Sequence, residues 1–463
     1  MKKDQINNQT QEKSLLRIVE ESGITTTVGN WLVKCIVVFS VIIILRYVSV
    51  YDYGLWQLIL SVIGFLSLLT LSGMEDVLLS DLSREIGVKN QNRSKSILIK
   101  SFVLFIGLGF LAAIVLFLIA PIVSMVSKID LTYFLKILSV YFILMSVQRF
   151  YSLVFSAHWK FIQIQTTTIV NRVSYLLLLV LFILFLDKGL IGVVYAYVFS
   201  FIPSTIFLFI PCLKTLRYLK DVVMDSTYSL WSIFKEHGKW ALFTDYFNNF
   251  FASVRPWIIG YFISVDAIAI FSVAMSLLGE IMGVVPLRQI FAPIIPRYID
   301  DTKRFQFLYQ RVMKYSLWFY FSVGIFVFLV APFFVKIFFP QYVASLPFLN
   351  ILLISLIALP LGVITTHIFY ALKIQKRLLI STIIPRAAAI IFLPLLLNKF
   401  GLYWAAIVQV SASLGVGFVS VYSLHKVMPN IKISLKELIK FDYDDSLLLR
   451  RIFGAKFNPN KKN

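Results

Sequence analysis

Long apolar runs recur along this chain from Val28 to Val427, separated by short polar links. Runs of about 20 apolar residues match the length of a helix that crosses roughly 30 Å of hydrocarbon. A transmembrane β-barrel would instead show segments of about 10 residues in which apolar and polar positions alternate, and runs such as 173–186 do not alternate. The pattern predicts an all-α polytopic membrane protein of about twelve spanning helices. The predicted spans are 28–48, 53–79, 97–119, 134–156, 167–186, 189–211, 240–263, 267–294, 313–339, 345–371, 376–397 and 401–427.

The basic residues between these spans predict the orientation of the chain. With the N-terminus in the cytoplasm, the cytoplasmic segments hold 32 of the 44 Lys and Arg, the outer loops hold six, and six lie inside spans. Because basic residues concentrate in cytoplasmic loops, this bias predicts that both termini lie inside. It also accounts for the net charge of +21 without nucleic acid as a partner. The polar stretch 1–27 has no apolar segment before a small-residue cleavage site, so we expect no cleaved signal peptide.

An even number of spans with both termini inside predicts two six-helix bundles around a central cavity. The segments 50–56 and 265–271 resemble each other at an offset of 214 or 215 residues, and Gly64 and Gly279 follow at matching places. Such a repeat, with the same topology in each half, relates the bundles by an axis normal to the membrane. The predicted parts are a cytoplasmic N-terminal segment 1–27, a first bundle 28–211, a cytoplasmic amphipathic connector 212–239, a second bundle 240–427 and a basic cytoplasmic tail 428–463.

Ten charged side chains fall inside the predicted spans. A charge at a helix centre costs roughly 2.5–3.5 kcal/mol on insertion scales, so such residues tend to face a cavity and carry function. We predict that the cations bind an anionic substrate, although Lys34 and Arg288 lie close enough to a helix end to reach the surface, and Arg172 and Asp245 would also suit structural pairs. The cations are Lys34, Arg149, Arg172, Arg255, Arg288 and Arg386. The acids are Glu75, Asp76, Asp245 and Glu280.

The seventh span carries a polar stripe at helical spacing. Its opposite, aromatic face is more typical of lipid contact, and Pro256 predicts a kink. Asp245 or Glu280 is also a candidate proton or sodium site, with pairing to Arg255 or Arg288 as the alternative. Small-residue faces on the eighth span (Ser272, Ser276, Gly279, Gly283) and the twelfth predict close helix packing. The predicted polar cavity residues are Asp245, Asn248, Asn249, Ser253, Glu280 and Gln409.

No pattern in the chain indicates catalysis. There is no Gly-rich phosphate loop with a Lys, and the four histidines are isolated from one another without metal-ligand spacing. The two cysteines, Cys35 and Cys212, imply no disulfide framework. We therefore expect no catalytic residue, no metal and no cofactor apart from a coupling ion.

Short motifs resemble one known family. The hairpin from Arg46 to Trp56, with Asp52-Tyr53-Gly54-Leu55 at its turn, resembles a signature of Wzx-type polysaccharide flippases in the multidrug/oligosaccharidyl-lipid/polysaccharide exporter superfamily. Ser72-Gly73-Met74 and Leu82-Ser83-Arg84-Glu85 are similar to the end of that family's second helix. The stretch from Arg255 to Ser264 is similar to its "Asp-Arg-x-x-Ile-Gly-x-Phe-Leu" motif, but the acid before the arginine is absent here.

This resemblance implies a function. It implies that undecaprenyl-pyrophosphate-linked oligosaccharide moves across the bacterial inner membrane by alternating access, for O-antigen, lipopolysaccharide or other surface polysaccharide assembly. Membrane lipids and a polysaccharide polymerase complex would be partners, and the oligomeric state stays open. One alternative is a cation-coupled small-molecule exporter of the same superfamily, which should have more buried acids than buried cations. Another is a membrane scaffold that transports nothing.

Overall fold

The computed structural model describes residues 29, 31–66, 69–70, 74–225, 228–229, 239–283, 302–372, 374–429, 431 and 438, and the regular structure in these residues is helical. We number the α-helices in chain order. They are α1 (31–47), α2 (Val50–Leu66), α3 (Met74–Gly87), α4 (Gln91–Ser127), α5 (Thr132–Ala157), α6 (Phe161–Leu179), α7 (Gly189–Phe199), α8 (Phe201–Leu216), α9 (Lys239–Phe262), α10 (Val265–Met282), α11 (Thr302–Phe338), α12 (Leu346–Leu352), α13 (Ala358–Ala371), α14 (Gln375–Phe400) and α15 (Tyr403–Val427).

These helices form twelve membrane spans in two six-helix halves, as predicted. Eight described helices are long and apolar enough to cross a membrane, and the bent pair Pro340–Leu356 and Ala358–Ala371, at 43°, makes a ninth. The other three are α1, the 17-residue α2 and α9. Polar residues lower the mean hydropathy of α9, which is why apolarity alone does not identify it as a span. Exposed apolar side chains cover the outside of both halves, as expected of surfaces that face lipid.

The second predicted span, 53–79, is wrong in its C-terminal part. Helix α2 ends at Leu66, and α3 is a separate helix that begins at Met74. The reason is composition, because the 14 residues of α3 include five charged side chains, which are too costly to place in hydrocarbon. The predicted continuation of the eighth span beyond 283 lies outside the described residues, since α10 ends at Met282.

The two halves repeat each other in detail. Helices α4 and α11 both have 37 residues, and each has a proline 30 residues after its first residue, at Pro121 and Pro332. Gly189, the first residue of α7, and Gly401, in the link before α15, both have a positive φ, a conformation that other residues rarely adopt. The predicted internal repeat therefore extends beyond the hairpins in which the sequence showed it.

The hydrophobic core shows how the halves are joined. One large cluster of buried residues takes side chains from helices of both halves, including α2, α5, α10 and α12. It lies toward the end of the molecule that contains the links 48–49 and 263–264 and the 3₁₀ segment Pro340–Ser345, which we call the closed end. Toward the opposite end, α3, α4, α5 and α8 form a second cluster, and α11, α13, α14 and α15 form a third. Because these two clusters are separate, the halves diverge there, and we call it the open end.

Chain segments at the open end pack against the long helices. Lys95 at the start of α4 donates to the carbonyl of Val222 at 2.7 Å, and Lys100 donates to the carbonyl of Tyr228. In the second half, the indole nitrogen of Trp318 on α11 donates to the carbonyl of Leu438 at 3.0 Å. In each half, the segment that follows the sixth span therefore packs against the longest helix of that half, α4 or α11. The remainder of the predicted connector and tail lies outside the described residues.

Candidate functional site

At the closed end the halves are held together by backbone contacts. The side-chain amide nitrogen of Gln341 donates to the carbonyl oxygen of Leu45, and it lies 3.3 Å from that of Val48, to which it also donates. A Cβ built on Gly54 of α2 would lie 2.3 Å from the carbonyl oxygen of Val265, so only glycine allows α2 and α10 to approach this closely. These contacts close the space between the halves at this end.

Helices α2 and α9 form a second seam. The Trp257 indole donates to the hydroxyl of Ser61 at 2.6 Å, and the rings of Phe65 and Phe250 pack edge to face at 5.8 Å. The aromatic face of α9 that we expected to contact lipid therefore packs in part on the first half. Ser253, a predicted cavity residue, is buried at this seam, where a Cβ on Gly64 would lie 2.1 Å from its Oγ.

A cavity of about 210 Å³ lies between α2, α9 and α10. Its apolar side is formed by residues such as Phe271, which is buried. Ser276 on its wall is exposed, so the cavity communicates with the cleft between the halves. The polar residues that line it are Gln57, Arg255, Ser272 and Ser276.

One stripe of α10 continues from the cavity toward the open end. Ser276, Gly279, Glu280 and Gly283 are all exposed, and a Cβ on Gly279 would have no neighbour within 4 Å. The prediction that this small-residue face serves close helix packing is therefore wrong at Gly279. The stripe faces the cleft, and Gly283 at its end is contacted by Lys34 of the first half.

Two arginines of the second half lie together beside the cavity. Arg386 of α14 donates a hydrogen bond to the amide oxygen of Asn248 on α9. Arg255 is close enough to Arg386 for the two positive charges to repel each other, and both side chains are half-buried. Among the carboxylates whose side chains are described, none forms an ion pair with either arginine. Two neighbouring half-buried cations inside spans, without a described acidic partner, favour an anion between them.

The cations of the first half are arranged differently. Arg149 forms an ion pair with Glu75 at 3.0 Å and donates to the carbonyl and hydroxyl oxygens of Thr70, both at 2.9 Å. This arginine therefore ties α5 to the region between α2 and α3. Arg172 is half-buried on α6, next to a group of buried tyrosines that includes Tyr175. Of these two residues, only Arg172 has no described acidic partner.

Lys34 joins the two halves near the open end. Its ammonium group donates to the carbonyl of Gly283 at 2.8 Å and to that of Glu280 at 3.4 Å, and the Glu280 carboxylate lies at 4.0 Å. These carbonyls end α10, so a cation there is favoured by the helix dipole. Lys34 on α1 thus caps a helix of the other half.

The remaining predicted site residues are not brought into one cluster. Gln409 contacts Ser413 of its own helix at 3.5 Å, and Asn249 is half-buried on α9. Arg288 and the side chain of Asp245 lie outside the described residues. In the described part of the chain, no three His, Cys, Asp or Glu residues are placed to hold a metal ion.

Gln57 is a cavity residue that we did not predict, and Ser272 and Ser276 line the cavity although their spacing predicts packing. A signal for Gln57 was available, because it is an uncharged amide in a helix that is otherwise strongly apolar from Leu55 to Leu66. A polar side chain in such a span usually faces the interior of the bundle. The serines had no comparable signal, since serine also occurs at close helix contacts.

The comparisons with known proteins agree with this architecture. Two six-helix halves that close at one end and diverge around a polar cleft define a multi-pass membrane protein with a transporter fold. Residues 43–346 match the family described as polysaccharide biosynthesis protein, and the chain belongs to that family. The predicted family relationship is confirmed. No individually curated protein matches the chain.

Solved structures of multidrug transporters share the fold. An inward-facing multidrug resistance MATE family transporter of the MOP superfamily aligns with a TM-score of 0.68 and 15% identity, over 85% of this chain and 94% of the other. An outward-facing structure of such a transporter aligns with a TM-score of 0.62 and 16% identity, over 90% of this chain and 96% of the other. The Vibrio cholerae MATE transporter VcmN in the bent form aligns with a TM-score of 0.59 and 15% identity, over 87% of this chain and 98% of the other. These likenesses confirm the predicted two-bundle fold.

Proposed function

We propose that this protein is a flippase that moves undecaprenyl-pyrophosphate-linked oligosaccharide repeat units across the bacterial inner membrane by alternating access. The product would serve O-antigen or another surface polysaccharide. The observation that supports the proposal most directly is the pair Arg255 and Arg386, which carries positive charge into the space between the halves without a described carboxylate at either side chain.

The chemistry of the substrate matches that pair. A diphosphate that crosses hydrocarbon needs fixed positive charge, and a guanidinium group can bind phosphate oxygens through two parallel hydrogen bonds. Asn248 holds Arg386 through a neutral amide, so the positive charge is positioned but not cancelled. The polyprenyl chain can stay in the bilayer while its headgroup enters the cleft between the halves.

The open cleft defines a loading state. The stripe from Ser276 to Gly283 is exposed while the closed end is sealed by Gln341 and Gly54. With the predicted orientation, in which both termini lie inside, the open end faces the cytoplasm. In this state the protein would accept a lipid-linked precursor from the inner leaflet.

The alternative of a cation-coupled drug exporter predicts negative charge in the cleft. The solved neighbours are described as multidrug transporters, so the fold itself allows that function. The two arginines would repel a cationic drug, and they favour the lipid-linked substrate. Drug susceptibility of a deletion strain separates the two functions, because loss of a drug exporter raises susceptibility whereas loss of the flippase removes surface polysaccharide.

A reconstituted assay tests the proposal. Protein in liposomes should move lipid-linked oligosaccharide to the opposite leaflet, measured by its accessibility to an added glycosidase. We expect Arg255→Gln and Arg386→Gln each to lower the rate at least about tenfold, the effect of losing a strong charged contact. Arg377→Gln is the matched control, because Arg377 is an exposed arginine on the same helix as Arg386. Full activity in an Arg255→Gln, Arg386→Gln double variant would overturn the proposal.

A further inference from the structure

The cavity between the halves has a polar wall to which both halves contribute. Gln57 comes from α2 of the first half, and Ser272 and Ser276 come from α10 of the second. The hydroxyl of Tyr53 interacts with the side chains of both Gln57 and Ser276. Tyr53, Gln57 and Ser276 thus form one connected polar group across the boundary between the halves.

Helical spacing explains why these side chains meet. Tyr53 and Gln57 are four residues apart on α2, and Ser272 and Ser276 are four apart on α10, so each pair lies on one helix face. The close contact of Gly54 with the Val265 carbonyl brings the two faces together. The sequence did not show that these faces meet, because the contacting residues of the two helices are more than 200 residues apart in the chain.

The lining of the cavity is chemically mixed. One amide and two hydroxyl groups provide several donors and acceptors without net charge. Beside them, the buried ring of Phe271 and the side chain of Met275 give the same cavity an apolar surface. A sugar ring presents hydroxyl groups at its rim and CH groups on its faces, and it fits such a lining better than a phosphate or an ammonium group does. Arg255 also lines this cavity.

We propose that Gln57, Ser272 and Ser276, positioned by Tyr53, form a sugar-binding subsite next to the arginine pair. It would select the sugar that is attached directly to the diphosphate, because Arg255 borders the same cavity and would hold the phosphate. This inference rests on the proposed function, since the proposed substrate, a glycosylated lipid diphosphate, presents both groups together.

The position of the subsite also has a mechanical consequence. The ring of Tyr53 packs edge to face on Tyr342 of the second half at 5.8 Å, at the closed end. Separation of the halves there would move Gln57 away from Ser272 and Ser276 and would divide the subsite between them. The sugar would then lose half of its partners when the closed end opens, which favours release on that side.

Binding measurements on the purified full-length protein test this subsite. The probes are undecaprenyl diphosphate without a sugar and the lipid-linked oligosaccharide extracted from a strain in which this gene is deleted. We expect the wild type to bind the glycosylated lipid more tightly. Gln57→Leu and Ser276→Ala should each weaken binding of the glycosylated lipid about five- to tenfold, the effect of one hydrogen bond, and leave the affinity for undecaprenyl diphosphate unchanged.

Two further variants complete the design. Thr166→Ala is the matched control for a lost hydroxyl, because Thr166 is half-buried on α6, outside the cavity lining, and donates to the carbonyl of Ile162 in its own helix. This variant should bind both lipids like the wild type. Tyr53→Phe keeps the ring against Tyr342 and removes only the hydroxyl, so it should weaken binding of the glycosylated lipid without lowering the Tm.

The outcomes separate this inference from the proposed function. A wild type that binds both lipids equally, or variants that lose both lipids in parallel, would overturn the sugar subsite and leave the flippase proposal standing. A wild type that binds neither lipid would overturn the proposed function and the subsite with it.

Discussion

The guanidinium group of Arg386 donates a hydrogen bond to the amide oxygen of Asn248, and this contact joins α14 to α9 beside the cleft. The acceptor is neutral, so Arg386 is held in place while its positive charge stays available. Arg149 in the first half shows the contrast, because its partner is the carboxylate of Glu75. The choice of acceptor therefore separates a cation that can bind an anionic ligand from one that is already neutralised.

Replacing the amide of Asn248 by a carboxylate tests this distinction. Asn248→Asp keeps the size of the side chain and gives Arg386 an acidic partner. We expect the affinity for undecaprenyl diphosphate to fall about tenfold or more, because the new carboxylate neutralises one of the two positive charges and repels the phosphate. Isothermal titration or a scintillation assay with the purified protein measures the change.

The control for Asn248→Asp is the same change on the partner helix. Asn398 is exposed near the end of α14, twelve residues from Arg386 and therefore about 18 Å away along a helix. Asn398→Asp adds the same charge and should leave binding unchanged. Equal losses in both variants would show that net charge, and not the partner of Arg386, sets the affinity.

The sequence predicted the positions of most helices, but it did not predict which helices contact each other. Hydropathy and helical period place Asn248 and Arg386 on polar faces inside spans, because these properties are local. Their contact joins α9 to α14 across more than 100 residues, and no local pattern contains it. The same holds for Arg149, whose depth in its span gave no sign of Glu75 as its partner. Gly64 and Gly279 match in the repeat, yet only Gly64 contacts the other half, because the two halves diverge on one side only.

These two glycines give a matched pair of substitutions. A methyl group on Gly64 would lie 2.1 Å from the hydroxyl oxygen of Ser253, whereas one on Gly279 would meet nothing within 4 Å. We expect Gly64→Ala to destabilise the protein by about 1–3 kcal/mol through overpacking. Gly279→Ala should be neutral or stabilising by up to about 1 kcal/mol, since alanine favours helix. Thermal unfolding in detergent, with surface-polysaccharide assembly as the second readout, distinguishes them.

A second substitution identifies the cause of the Gly64→Ala defect. Ser253→Ala removes the hydroxyl that the new methyl group would meet and leaves the Ser253 Cβ at an ordinary 3.4 Å. The Gly64→Ala, Ser253→Ala double variant should therefore recover most of the lost Tm. If the double variant instead shows the sum of the Tm losses of the two single variants, the seam between α2 and α9 is not the source of the defect.

The ion pair between Arg149 and Glu75 predicts a different kind of rescue. Arg149→Met leaves the half-buried Glu75 carboxylate without this partner, whose nitrogen lies at 3.0 Å in the wild type. We expect a loss of about 2–3 kcal/mol, seen as a lower Tm. Glu75→Gln in the same chain removes the uncompensated charge, so the double variant should be more stable than Arg149→Met alone. A double variant that is less stable than the single one would contradict the assigned role of this pair.

The contact between Trp318 of α11 and Leu438 makes this part of the tail a structural part of the second half. Ile431 and Leu438 are buried among residues of α11, α13 and α15, and burying one such side chain contributes about 1.5–3 kcal/mol. A chain that ends after residue 429 should therefore unfold at a lower temperature than one that ends after residue 441. Trp318→Phe, which removes the indole donor to Leu438 and keeps an aromatic ring beside Lys314, should have a smaller effect than the shorter truncation. Equal melting temperatures for the two truncations would show that this contact is dispensable.

The last prediction is that flipping is coupled to a proton or sodium gradient. Asp245 and Glu280 are the candidate acids, and Glu280 faces the cleft with its carboxylate 4.0 Å from Lys34 of the other half. We expect an imposed proton or sodium gradient to accelerate flipping in proteoliposomes, and Asp245→Asn or Glu280→Gln to abolish that acceleration while flipping without a gradient continues. Lys34→Met is the control for Glu280, because it removes the inter-half contact and keeps the acid. If Lys34→Met and Glu280→Gln change the rate alike with and without a gradient, Glu280 acts as a partner of Lys34 and not as an ion site. Rates that are independent of every gradient in the wild type would end the coupling hypothesis.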